Sequence, residues 1–272
     1  LSRSKNNAPV QEGELRRLLA RVYSQSGRLS DAVREARAAA ENFSKARDLY
    51  HAATAQGFIG DLLRETGEFE AAREAFKKFT ELANEWGDRN LTQIAELADA
   101  WVALDVGDLT GAAKQIESVE KELSQAPTRR LRRYLQAAKT MLVAGRGHHE
   151  EAGRMFPQVI ALWESAGQYS IADVLRANYV RSLIAMDRLD DARAEVDAAL
   201  ERLDEKTAAP RVATFLRESA LIRLRRRDVK KAMSELTRAR KLFQVGGNRR
   251  EEAVTLNRIA HAALEEGDFD LS

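Results

Sequence analysis

The chain has 272 residues, of which 44% are hydrophobic, 32% charged and only 6% aromatic, with 15 Gly and 4 Pro. Few breakers among many strong helix formers point to an all-α chain, and the scarcity of aromatics excludes a sandwich or barrel. A net charge of +2 sets up no long-range pull towards nucleic acid or an anionic membrane, and with 0 Cys there is no disulfide or thiolate metal site.

The opening stretch, "LSRSKNNAPVQEGE", has no apolar centre and is not a secretory signal. Residues 1–11 read as an N-terminal tail and 12–272 as a helical repeat domain. The chain starts on Leu rather than Met, which reads as a segment of a longer or processed protein. No apolar run reaches the ~18 residues that a membrane helix needs.

From there the chain alternates helix and turn. The first turn is "SQSGRLSDAVREA", and "RETGEFEAAREAF" and "LDVGDLTGAAKQI" repeat its form. The turn residues are Gly27, Gly67, Gly107, Gly147, Asp187, Arg227 and Gly267, each 40 after the last. Asp tolerates the left-handed conformation that Gly supplies. Arg227 does so less well, so a different turn is expected there. A second series between repeats, Gly87, Pro127, Gly167, Thr207 and Gly247, is also spaced by 40.

Fixed columns follow each turn. Five residues on stands Ala in all six cases, from Ala32 to Ala232. Nine on stand Ala36, Phe76, Ile116, Phe156, Val196 and Leu236, and twelve on another apolar set from Ala39 to Ala239. Spacings of 3 and 4 place these on one helix face. The helix before the turn has a mostly small column seven back, from Ala20 through Gly60 to Ala260. Small residues at a helix crossing permit an axial separation of ~8–10 Å. One such pair cannot bury its apolar face alone, but a stack of pairs shares a continuous core.

These columns resemble the tetratricopeptide repeat family over about six full repeats and a seventh first helix. The resemblance implies a right-handed α-solenoid of antiparallel helix pairs, with helix A of each pair on the concave surface. Two departures stand out. The period is 40 rather than 34, and the family's Pro near the end of helix B is replaced by Ser44, Asn84, Ser124, Glu164, Asp204 and Gln244. Longer helices, ~25 Å for ~17 residues, explain both. Repeats near 40 look like those of kinesin light chains and bacterial regulators, and "LWESAGQYSIADVLRANYVRSL" most resembles the bacterial type.

If helix A lines a groove, positions six, nine and ten before each turn face it. They give an apolar middle of Phe58, Leu97, Trp101 and Met141, and a polar distal part of Asn178, Arg181, Arg217 and Arg258. Apolar side chains of a protein or peptide partner suit the first set, and a carboxylate suits the forked donors of the Arg residues. The family's carboxylate clamp for chaperone tails needs Asn where Phe58 stands, so a chaperone-tail binder is not expected. Each residue also has a plain reading, as inter-repeat packing or a solvated face.

The basic runs "RRLRR" (Arg129–Arg133) and "RLRRRDVKK" (Arg223–Lys231) fall on opposite edges of a two-helix solenoid and form no single patch for nucleic acid. "GRGHHEE" offers adjacent His residues, which rarely converge on one ion. No phosphate loop, zinc-protease motif or nucleophile elbow occurs. The expectation is therefore a non-catalytic, cytoplasmic interaction module without cofactor or metal, contacting neither nucleic acid nor membrane. The alternative is a sensory segment of a larger bacterial regulator that binds a small ligand or peptide. Leu264 and Phe269 suggest a last helix with an exposed face that could self-associate.

Overall fold

A computed structural model describes residues 7–123 and 127–266. Among them it forms thirteen helices and no strand. They divide into two compact units, one of residues 1–24 and 28–145, the other of 25–27 and 146–272. Unit 1 holds α1 (Asn7–Gln25), α2 (Leu29–Lys45), α3 (Leu49–Thr66), α4 (Phe69–Trp86), α5 (Arg89–Asp105), α6 (Leu109–Lys121) and α7 (Arg129–Gly145). Unit 2 holds α8 (His149–Glu164), α9 (Tyr169–Ala185), α10 (Leu189–Arg202), α11 (Glu205–Arg225), α12 (Val229–Val245) and α13 (Arg249–Glu266). Odd-numbered helices take the place of helix A and even-numbered ones that of helix B. Within the units, α3 lies against α2 and α4, and α11 against α10 and α12. The first helix opens at Asn7, inside the stretch that the sequence reads as a tail.

The turn series has one conformation. Gly27, Gly67, Gly107 and Gly147 have φ of 79°, 86°, 81° and 82°, and Asp187 and Arg227 follow at 58° and 63°. The different turn expected at Arg227 is not found. A left-handed residue without glycine costs ~1–2 kcal/mol. Turn bonds offset that cost: the Arg227 N–H donates to Leu224 O at 3.0 Å and the Asp228 N–H to Arg223 O at 2.9 Å. The second of these recurs as Glu68 to Leu63, Asp108 to Ala103 and Arg188 to Leu183, all at 2.9 Å. It is the long bond of a Schellman cap, which satisfies a carbonyl left over at the helix end.

The second series holds in part. Gly87, Gly167 and Gly247 are left-handed at 81°, 70° and 72°, and Arg47 joins them at 56°. Thr207 does not. It lies inside α11, whose helical geometry breaks at Ala208 (φ −139°, ψ 31°), two residues before Pro210. Pro127 cannot take positive φ because its ring fixes that angle.

The columns fill the core. The six Ala residues five after the turn are fully buried, and the column nine after it, from Ala36 to Leu236, is buried throughout. Gly60 shows why its column is small: a Cβ there would lie 2.4 Å from Phe76 Cε1. Ala260, in the same column on α13, is exposed, as are Val254, Leu256 and Leu264. Gly267 and Phe269 lie outside the described residues.

Candidate ligand-binding face

Two helix starts fix the elements of unit 1 that matter here. Asp48 caps α3 by accepting from the His51 N–H at 3.2 Å, and Asp88 caps α5 by accepting from the Leu91 N–H at 3.1 Å. From α3 come Asp61 and Arg64, from α5 Trp101 and Asp105, and from α7 Arg130 and Tyr134. The Arg64 guanidinium lies over the Trp101 ring, 5.3 Å from its centroid, and its Nη1 donates to Asp105 Oδ2 at 2.5 Å. Arg130 stands over Tyr134 at 6.0 Å.

The cluster brings two carboxylates, Asp61 and Asp105, together with two guanidinium groups, Arg64 and Arg130. Asp61 keeps contact with solvent, yet it stands deep among protein atoms. That desolvation raises its carboxyl above the ordinary aspartate range, against the pull of Arg64 and Arg130. Burial, and then the Asp61 charge, raise the Tyr134 phenol. Burial opposes the charge on Arg64, but Asp105 and Asp61 outweigh it. Trp101 Nε1 and Arg64 Nε are buried donors with no hydrogen-bond acceptor among the described residues.

Unit 2 treats its own helix-A face differently. The Glu218 carboxylate, fully buried, accepts from Arg181 Nε at 3.0 Å and Nη2 at 2.6 Å. Arg217 Nε is 3.7 Å from the same oxygen, and Arg217 Nη1 donates to Glu251. Burial works to raise the Glu251 carboxyl, but Arg217, Arg250 and Arg181 outweigh it and hold it below the ordinary glutamate range. Buried Asp173 accepts from Arg202 at 2.7 Å and Arg211 at 3.1 Å. In the "RLRRRDVKK" run, Arg223 pairs with Asp228 and Glu235, and Arg226 with Asp190.

The residues picked from sequence are thus dispersed. Trp101 is nearly buried beneath Arg64, while Phe58 on α3 and Met141 on α7 are half-buried. Leu97 is fully buried and presents no surface, because its side of α5 turns into the helix stack. Arg217 is buried as well and already holds Glu251, so it is not an open carboxylate receptor. Arg181 is half-exposed but bound to Glu218, and Asn178 Nδ2 donates to Val174 O of its own helix at 2.9 Å. Arg258 is exposed on α13. Sequence reasoning missed Arg64, Asp105, Arg130 and Tyr134. Arg64 stands three before its turn, a position outside the counted set, and Arg130 was absorbed into a basic run.

A cleft of about 440 Å³ lies elsewhere in unit 1, among α4, α5 and α6. Glu96 and Asp99 line it from the side of α5 away from Trp101, with Phe76 at its floor. Its polar groups are partly spent on each other, Gln115 Nε2 donating to Asp99 Oδ2 at 2.5 Å. The Arg64–Trp101 cluster is the better candidate, because unsatisfied donors converge there. Among the described residues, no group of three or more His, Asp or Glu is arranged to hold a metal ion, and no helix is long and apolar enough to cross a membrane.

A family model for the tetratricopeptide repeat matches residues 17–85 and 180–244. The chain is built of tetratricopeptide repeats. Its 40-residue period lengthens the helices while keeping the family's crossing columns. No curated protein matches the sequence. Among solved structures, a Rap protein complexed with Competence and Sporulation Factor superposes with a TM-score of 0.61 at 12% identity, over 93% of this chain and 75% of that one. At that identity the likeness speaks for the tetratricopeptide fold. A tetratricopeptide repeat protein from Parabacteroides merdae ATCC 43184 is similar over 90% of this chain and 99% of its own, with 13% identity and a TM-score of 0.42. The TPR2AB domain of yeast Sti1 with pHSP90 is similar over 91% and 98%, with 14% identity and a TM-score of 0.34.

Proposed function

We propose that the chain is a non-catalytic interaction module that takes a protein or peptide partner on the helix-A face of unit 1. The observation that carries this is the pair of buried donors without an acceptor among the described residues, Trp101 Nε1 and Arg64 Nε, with the Asp61 carboxyl coupled to Arg64. Buried polar atoms are ordinarily paired, and an orphan is a reason to look for a missing partner. Trp and Arg are also types that concentrate binding energy. Phe58 and Met141 offer apolar contact on the flanking helices. Nucleic acid and membrane are not partners in this reading, and the setting is cytoplasmic.

The test is affinity capture with the wild-type chain beside Arg64→Gln and Asp61→Asn variants whose helicity is unchanged. Proteins retained by the wild type and released by the variants would support the reading. Capture that ignores both substitutions would overturn it.

A second reading rests on the likeness to the Rap protein, solved with Competence and Sporulation Factor bound. In it the repeats are the sensory part of a larger regulator, and an occupant of the same face shifts the state of an attached domain. Placing the Arg64→Gln change in the longer protein separates the two. Loss of a regulated output would favour sensing, and loss of complex alone would favour scaffolding.

A further inference from the structure

The cleft among α4, α5 and α6 is the place of two side chains that the fifth repeat supplies and the third does not. In the fifth repeat, Arg176 of α9 stands 11 before its turn residue and bridges two B helices. It donates to Glu195 of α10 and, at 2.7 Å, to Glu164 at the end of α8. Tyr179, nearly one turn on, lies with its ring centroid 5.8 Å from that of Phe156. Two periods earlier, Arg176 is replaced by Glu96, Tyr179 by Asp99 and Glu195 by Gln115, while Phe156 is matched by Phe76. A guanidinium and a ring have both become carboxylates. The groove between the B helices α4 and α6 is therefore open and acidic, a recess of about 440 Å³ with Phe76 at its floor.

The recess keeps acceptors that lack donors. Glu96 is half-buried, and among the described residues no hydrogen bond or ion pair engages it. Burial, and then the Glu122 charge, raise its carboxyl above the ordinary glutamate range. Arg89 opposes them, but it is itself paired with Glu122 at 3.5 Å. Asp99, three residues on and so on the same helix face, accepts from Gln115 Nε2 at 2.5 Å. Gln115 Oε1 stays buried without a donor among the described residues. The two cations of the lining, Arg73 and Lys77, are exposed on α4 and form no ion pair with these groups. A carboxylate drawn out of water and a buried acceptor left open both call for donors from outside the chain.

We propose that this cleft binds an alkylguanidinium group, its fork on Glu96 and Asp99 and its alkyl stem along Phe76. Arg176, held between Glu164 and Glu195 with 15% of its side chain exposed, is the protein's own example of such a fit. A planar fork of donors suits paired carboxylates better than the point charge of an ammonium. The cleft lies on the side of α5 away from Trp101, so the assignment does not depend on the Arg64–Trp101 face.

The probe is n-butylguanidinium, titrated into the intact chain and read by NMR from the side-chain amide of Gln115. A saturable shift is expected, with a Kd of about 1 mM or tighter for a ligand of this size. n-Butylammonium should bind more weakly, by about threefold or more. Glu96→Gln should weaken n-butylguanidinium at least roughly tenfold, which corresponds to 1.4 kcal/mol, with circular dichroism unchanged because no partner of Glu96 is lost. Asp99→Tyr copies Tyr179 and should close the cleft to the probe while the melting temperature is kept. Arg64→Gln should leave binding untouched. Acetyl-Gly-Arg-Gly-amide separates the sources of the group. If it binds too, the site admits an arginine of a protein partner; if n-butylguanidinium binds without it, the site takes a free alkylguanidine. No saturable shift, equal affinity for n-butylammonium, binding that survives Glu96→Gln or Asp99→Tyr, or binding lost with Arg64→Gln would each overturn the assignment.

Discussion

The two units use one set of helix positions for opposite ends. In unit 2, Arg181, Glu218, Arg217 and Glu251 form a chain of ion pairs that joins α9, α11 and α13. In unit 1, Trp101 stands at the position of Arg181, Arg64 lies over its ring and binds Asp105, and Trp101 Nε1 and Arg64 Nε find no acceptor among the described residues. The same face is linked by a chain of ion pairs in one unit, with Glu218 Oε2 its one unpaired atom among the described residues, and in the other leaves two donors unpaired. A guanidinium on helix A is therefore no mark of a binding site until its partner is known.

That contrast can be broken first in unit 2. Arg217→Met would leave the buried Glu218 carboxylate with Arg181 and Glu251 with Arg250. Removing one member of a buried ion pair typically costs about 3–5 kcal/mol. Urea unfolding should show unit 2 melting well before unit 1, and an unchanged midpoint would show that the chain of pairs carries little stability.

The reciprocal change in unit 1 should spare stability and lose binding. Arg64→Gln is expected to cost about 1 kcal/mol or less while reducing partner capture at least roughly tenfold. A large fall in melting temperature would instead make Arg64 a structural counterpart of Arg217.

Acid should sharpen the difference. The Glu251 carboxyl is held below its ordinary value in the folded state. Its ion-pair stability is present above the unfolded value, about 4.3, and is lost as pH falls through the folded value. Melting curves between pH 6 and 3, ranges chosen to span about that value, should show a decline that Glu251→Gln makes shallower.

Asp61 has the opposite sign and the smallest effect. Its folded value is raised by desolvation, so it favours folding while protonated, and that contribution is lost as pH rises through the folded value. Asp61→Asn should raise stability slightly at neutral pH, by about 0.5 kcal/mol or less as for most surface positions, while weakening partner capture. A destabilised Asn variant would mean that Arg64 and Arg130 contribute more than the desolvation removes.

The architecture was legible because a solenoid writes its packing rules once per repeat. The Ala column and the left-handed turns were readable even where Gly gave way to Asp187, whereas at Arg227 the residue type pointed to a different turn and the same one stands. The site was less legible for a specific reason. Periodicity names a helix face but not what stands opposite it. It placed Arg181 on the right face and could not show that Glu218 had already claimed it. It placed Leu97 and Arg217 there too, although the column ten before the turn is carried into the helix stack, where Arg217 meets Glu251. Arg64 escaped because its role depends on Trp101 and Asp105 in the next repeat, and no single column records a cross-repeat cluster.

The uniform turn geometry also makes the repeat a unit of exchange. Whole repeats can be removed or duplicated in steps of 40 residues with each helix still meeting a familiar neighbour. A deletion one residue short of that step would rotate the following helix by about 100° and point its Ala column at water. Insertions and deletions within this chain are thus tolerated by phase rather than by length, and the lineage of such a protein is free to lengthen or shorten only in whole periods.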